Sequence, residues 1–336
     1  MTTASEAATS ATSATSATSA TSATSATSAT SATPLTALRA RLATVVAIPA
    51  TPFTPDGGVD WPGHAALIRR LVHHGVQAVT PNGNTGEFYT LNEPEKRRAV
   101  ESTVQAVDGR AEVVAGVGLD IASAVDAARH AAGVGASALM IHQPVHPYRS
   151  AEGWIEYHRV IADAVPELGV ILYVRDERVA GEHIATLARH SPNVIGVKYA
   201  VPDPVRFASV ARDAGLEAFA WIAGLAELSA PGYWAVGATG FTSGLVNVAP
   251  RLSAAMLDAL RGGDFAKSML LWETVREFEE LRAADASADN VSVVKEALAQ
   301  LGFIGRDVRP PSRALPQNVR DRIAAVLDQW RSGGWL

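Results

Sequence analysis

The chain has 336 residues, with 29 Lys and Arg against 34 Asp and Glu, a net charge of −5 and no cysteine. The absence of thiols excludes a disulfide scaffold, thiolate nucleophiles and thiolate-held zinc or iron–sulfur clusters. The near balance of charge gives no footprint for nucleic acid or for an anionic membrane.

Residues 8–31 are eight copies of Ala-Thr-Ser, and residues 1–33 carry a single charge, Glu6. Such a composition predicts a disordered tail, since it holds almost nothing that could be buried. The tail has neither the basic start nor the apolar centre of a secretory signal, and it lacks the arginines of a transit peptide. No run of 18 apolar residues predicts a membrane span. The cytoplasm is the location expected by default.

From Pro34 onward, short apolar runs alternate with longer amphipathic segments. The runs cover residues 44–49, 77–80, 111–117, 137–141, 169–173, 193–198, 218–222 and 237–240. They are apolar on both faces, as parallel strands covered by helices should be. Between the first two, Ala65, Ile68, Leu71 and Val72 recur at helical spacing, and Gly75 follows as a stop. Asn92 and Glu95 form a capping box that opens the next helix. Eight such units in about 220 residues predict an α/β fold, a (β/α)8 barrel over residues 34–263. The rival, a doubly wound sheet, lacks its glycine-rich fingerprint after every run. Beyond Gly263, helical patterns at 265–283, 291–301 and 319–331 predict a C-terminal helical extension, 264–336. Pro310 and Pro311 separate its last two helices, and the extension is read as an appendage on the barrel or on a neighbouring subunit.

Catalytic groups of such barrels sit at the carboxyl ends of the strands. Lysine is scarce here: Lys96, Lys198, Lys267 and Lys295 stand against 25 arginines. Lys96, Lys267 and Lys295 fall on helical patterns and are expected to be solvated. Lys198 instead ends the sixth strand, where burial would depress its pKa and free an amine that attacks carbonyls. Tyr173 ends the fifth strand and is placed to move protons beside such an amine. After the second strand, Gly83, Asn84 and Thr85 form a loop whose amides and hydroxyl suit an anion. Nine histidines offer no metal constellation: His73 and His74 are adjacent, His142 and His146 share one loop, and no helix carries a zinc-binding pair. No metal is expected, and no phosphate loop or serine nucleophile elbow is present.

These residues together resemble the dihydrodipicolinate synthase / N-acetylneuraminate lyase family of class I, Schiff-base-forming lyases. The resemblance rests on residues 50–53 (Ala-Thr-Pro-Phe), Asp56-Gly57, Val59-Asp60, the stretch 83–87 (Gly-Asn-Thr-Gly-Glu), Leu91, Tyr173, Lys198, the stretch 240–250 with Asn247, and Arg309-Pro-Pro311. It implies that Lys198 forms an imine with a 2-oxo acid and that Tyr173 relays protons. It also implies that Thr85 and the amides of 83–85 hold the carboxylate. It implies a small-molecule partner, no cofactor beyond the covalent imine, and a homotetramer.

Two departures bear on substrate. The synthase has two adjacent threonines where Asn84 and Thr85 stand, and a second tyrosine where His146 stands. The stretches 173–176 (Tyr-Val-Arg-Asp), 86–89 and 241–243 with Asn247 resemble instead the 5-dehydro-4-deoxyglucarate dehydratase branch. Tyr199-Ala200 and the loop 142–148 depart from that branch. The expected activity is dehydration of a deoxy-keto sugar acid, with Arg175 or Arg178 on a distal carboxylate or hydroxyls and His146 and Ser243 as further contacts. The alternatives are a pyruvate-dependent aldolase or synthase-like enzyme, or a non-catalytic ligand-binding barrel.

Overall fold

A computed structural model describes residues 34–336, and the tail assigned from sequence lies outside these residues. Eight parallel strands close into a barrel in simple sequential order: β1 (Val45–Ala47), β2 (Ala78–Val79), β3 (Glu112–Val117), β4 (Ala138–Ile141), β5 (Gly169–Val174), β6 (Val194–Tyr199), β7 (Ala220–Ala223) and β8 (Gly240–Ser243). β8 pairs back onto β1, which leaves no sheet edge. Helices α1 (Pro34–Leu42), α2 (Trp61–His73), α3 (Glu93–Val107), α4 (Ile121–Gly133), α5 (Ala151–Asp163), α6 (Gly181–His190), α7 (Pro204–Ala214), α8 (Ala226–Trp234) and α9 (Pro250–Arg261) precede and surround the strands. Then come α10 (Phe265–Ser287), α11 (Asn290–Gln300) and α12 (Gln317–Ser332). The (β/α)8 barrel with a C-terminal helical extension is therefore the observed fold. No helix among the described residues is long and apolar enough to cross a membrane.

The strands divide their side chains between two cores. Val79, Val113, Leu139, Leu172, Val197 and Trp221 face the helices. Val46, Ala78, Val114, Met140, Ile171 and Ile222 fill the barrel with Leu38 and Leu42 of α1. α1 was not anticipated from sequence. It plugs the amino-terminal end: a methyl on Gly169, at the start of β5, would stand 2.9 Å from Leu38.

Local signals account for the ends of several elements. Asn92 caps α3 in a full capping box with Glu95, as expected. α2 ends at the cap residue His74, and Gly75 follows with φ +82°. β8 lies later than the run 237–240. Gly237 takes φ +120° and turns the chain, so pairing begins only at Gly240.

One irregularity decides where Lys198 points. Along β5–β6 the register shifts between Val170 and Ile171, so that Val170 faces Val194 but Ile171 faces Gly196. Val194 and Val197 both pack outward and Ile195 packs inward. Two residues thus separate two outward ones, and strict alternation is broken once. After this bulge, Lys198 sits beside Tyr173 in the ladder, and Tyr173 belongs to the inner core.

Candidate active site

Lys198 and Tyr173 end neighbouring strands at the carboxyl-terminal mouth of the barrel. Lys198 is only 4% exposed, and its Nζ stands 4.1 Å from the centroid of the Tyr173 ring. Burial pushes its pKa down to about 7, and the Arg175 charge adds to the effect. Burial pushes the Tyr173 phenol up to about 12, opposed by the Arg175 charge. At neutral pH an amine with a large neutral fraction, about half, and a protonated phenol therefore lie side by side.

The loop after β2 closes over this pair. It makes a short 3-10 turn, Asn84–Gly86, and leaves it through Glu87 at φ +59°. Its glycines are set by close approach: a side chain at Gly83 would collide with Ile48, and one at Gly86 would press on the Pro49 carbonyl. Asn84 donates from Nδ2 to the Tyr173 hydroxyl oxygen at 3.1 Å. Its Oδ1 is buried and has no hydrogen-bond partner among the described residues. Thr85 is buried beside Gly244, which follows β8. The structure thus brings the loop carrying Gly83, Asn84 and Thr85 onto Tyr173 through Asn84.

His142 forms the wall behind Tyr173. Its ring stacks on Phe88 at 4.1 Å and meets Tyr173 edge-on at 5.8 Å. Burial holds its pKa down to about 3, so the ring is neutral, and Nε2 lies 2.8 Å from the Asn82 carbonyl. A carbonyl only accepts, so Nε2 carries the proton. A side chain at Gly116 would collide with the Asn82 carbonyl and crowd Nε2, and one at Gly118 would press on the His142 Cβ, so the two glycines leave room for this contact.

The remaining residues singled out from sequence separate. Arg175 is exposed, and its backbone N–H donates to Gln143. Its charge bears on Lys198, Tyr173 and Tyr89, which keeps it a candidate for a ligand at the mouth. Arg178 is also exposed and is clasped to Asp176, which Arg149 binds as well. These two guanidinium groups hold the Asp176 carboxyl well below the usual range. His146 is exposed, and its Nδ1 lies 2.7 Å from the Tyr148 carbonyl. Ser243 donates to Glu227 of α8 at 2.6 Å and accepts from the Val246 N–H, so its hydroxyl is engaged within the helical layer.

Two of the four lysines correct the sequence expectation. Lys267 is exposed, as its helix pattern implied. Lys96 is buried, with Nζ 4.8 Å from the Phe88 ring centroid. Lys295 is fully buried, paired with Glu87 and 3.9 Å from the Phe53 ring centroid. Its Nζ also donates to the Asp307 carbonyl at 2.8 Å. Arg309 adds a backbone N–H to Glu87 and a two-pronged contact to Glu95. The extension, whose α10 packs on α8 and α9 of the barrel, therefore also grips the Gly83–Glu87 loop. Local sequence gave no sign of this, because the partners lie some 200 positions apart.

Comparisons with known proteins agree with this architecture. The model of the dihydrodipicolinate synthetase family matches residues 41–330. The 4-hydroxy-tetrahydrodipicolinate synthase of Phenylobacterium zucineum is 34% identical over 277 residues, covering 81% of this chain and 92% of that protein. The enzyme of the same name from Hyphomonas neptunium is 36% identical over 278 residues, covering 81% and 93%. The crystal structure of dihydrodipicolinate synthase from Oceanobacillus iheyensis superposes with a TM-score of 0.84 at 37% identity, covering 88% of this chain and 99% of that one. The extension, Glu87 included in its grip, lies largely inside the matched span. The chain is an enzyme of the lyase class and belongs to the dihydrodipicolinate synthetase family.

Proposed function

We propose that the protein is a class I lyase that binds a 2-oxo acid as an imine on Lys198. The observation that carries this reading is the buried Lys198 amine, brought to about pH 7 beside the protonated Tyr173 phenol. The amine attacks the ketone carbon, the carbinolamine loses water, and a protonated imine remains. That imine withdraws electrons from the adjacent carbon, whose proton can then leave. Tyr173 is the group placed to carry protons to and from the reacting atoms. Thr85 and the amides of 83–85 hold the carboxylate. The imine is itself the electron sink, so the proposed chemistry calls for no added cofactor.

For the substrate we propose a hydroxylated 2-oxo acid of the deoxy-keto sugar acid type, dehydrated by loss of the proton at carbon 3 and of the hydroxyl at carbon 4. Asn84 supports this, since its Oδ1 beside Tyr173, without a partner among the described residues, can accept from a substrate hydroxyl. Arg175 is the group we assign to a distal carboxylate, with the exposed Arg178 and His146 as further candidates for substrate contacts. The second reading, a synthase that joins pyruvate to an aldehyde, is favoured by the names of the relatives at 34% and 36% identity. A homotetramer is the assembly we propose on family grounds, and sedimentation of the full chain measures it.

Borohydride reduction in the presence of pyruvate or a hydroxylated 2-oxo acid, followed by intact mass, tests the chemistry. An adduct lost in Lys198→Ala supports it, and no adduct with either acid refutes it. Release of a dehydrated product from the hydroxylated acid, rather than consumption of pyruvate with an aldehyde, separates the two readings.

A further inference from the structure

Arg282 is the most deeply buried arginine side chain that the proposed chemistry leaves unused. It is 5% exposed and ends the regular part of α10. Glu279, one turn earlier, pairs with its Nη1. Asn290 of α11 accepts from Nε at 3.3 Å and from Nη2 at 3.0 Å.

The backbone that allows this grip is strained. Asp285, Ala286 and Ser287 have φ of +50°, +53° and +68°, a region that costs non-glycine residues energy. This turn folds the chain back so that Asn290 reaches the arginine three residues before it.

The cation points at the barrel mouth. A methyl at Gly244 would collide with Nη2 of Arg282 and stand 3.1 Å from Oγ1 of Thr85. Guanidinium and hydroxyl therefore flank one glycine α-carbon at the carboxyl end of β8. Nη2 has two N–H groups, and Asn290 takes one. The second belongs to the atom against Gly244. Glu279 sits on Nη1 instead, so the ion pair presents its positive end to the Thr85 side.

We propose that Arg282 is a positioning residue for the carboxylate of the 2-oxo acid, acting from behind Gly244 and Thr85. This deepens the assignment of Thr85 and rests on it. A fixed cation behind a neutral cradle of amides and hydroxyl favours an anion over its neutral counterpart. Gly244 is glycine because a side chain would push the guanidinium out.

The test compares pyruvate with methyl pyruvate, which has the same ketone and no carboxylate charge. Borohydride trapping at Lys198, followed by intact mass, gives a half-saturating concentration for each. In Arg282→Gln the value for pyruvate should rise roughly tenfold while that for the ester stays within about twofold. Arg282→Lys should recover part of the loss. Gly244→Ala keeps every charge but displaces Nη2, and should likewise weaken pyruvate selectively, which keeps the test open should Arg282→Gln not fold. Equal losses for acid and ester in these variants, or no loss, overturn the proposal. Trapping that fails for both compounds in the unaltered protein overturns the imine reading itself.

Discussion

The buried ammonium of Lys295, on a helix outside the barrel, is paired with the carboxylate of Glu87, the left-handed residue that closes the loop over Lys198 and Tyr173. Removing one partner of such a pair leaves an uncompensated buried charge. Lys295→Met should lower unfolding free energy by about 3–5 kcal/mol. The double variant Lys295→Met, Glu87→Gln should recover much of that loss, because no bare charge remains. Urea denaturation of the full chain measures both. A single variant as stable as the parent would show that Glu87 finds another cation.

Lys198 should cost the fold stability at neutral pH. Its folded pKa of about 7 lies below the ordinary value of 10.5. Between these values the unfolded chain binds more protons, so stability rises with pH across that window. Lys198→Met should therefore raise the melting temperature at pH 7, and the gain should shrink towards pH 10. The rate of imine trapping by the parent protein should climb through pH 7 as the amine loses its proton. A trapping profile that climbs only near pH 10 would mean that the amine is solvated.

The barrel was legible because parallel strands covered on both faces read as unbroken apolar runs. Lys198 was legible because lysine is scarce and this one ends a strand. Its orientation was not: the bulge at Ile195 and Gly196 leaves no mark in composition, yet it decides which way the next side chains face. Ser243 shows the opposite outcome, a strand-end hydroxyl engaged by Glu227 on the helical side. Lys96 and Lys295 were misread as solvated because helical periodicity reports one helix at a time. It cannot see Phe88, Phe53 or Glu87 arriving from another part of the chain.

Asn84 should separate imine formation from proton transfer. Its Nδ2–H fixes the Tyr173 oxygen as an acceptor, so the phenol proton is free to face the substrate. An amide cannot pass a proton along, as a hydroxyl would. Exchange of the pyruvate methyl protons into deuterated water, followed by NMR, reads enamine formation directly. Asn84→Leu should slow this exchange on the order of a hundredfold while borohydride trapping stays within about threefold. Asn84→Thr should restore exchange, since a hydroxyl both donates and relays. Equal loss of trapping and exchange would instead make Asn84 a support of the loop alone.

Glu227 lies fully buried between Ser243 and Ser253, which both donate to Oε1. Burial, together with the nearby Glu279 charge, pushes its pKa up to about 7 against the pull of the two hydroxyls and Arg282. A carboxyl whose folded pKa is raised contributes stability that is full below its ordinary value of 4.5 and is lost as pH rises through 7. The parent protein should therefore lose stability relative to Glu227→Gln between pH 5 and pH 8. Urea denaturation of the two proteins at both pH values measures this difference. A difference that does not change with pH would mean that Glu227 is already ionised at pH 5, with Arg282 rather than Glu279 as its dominant neighbour.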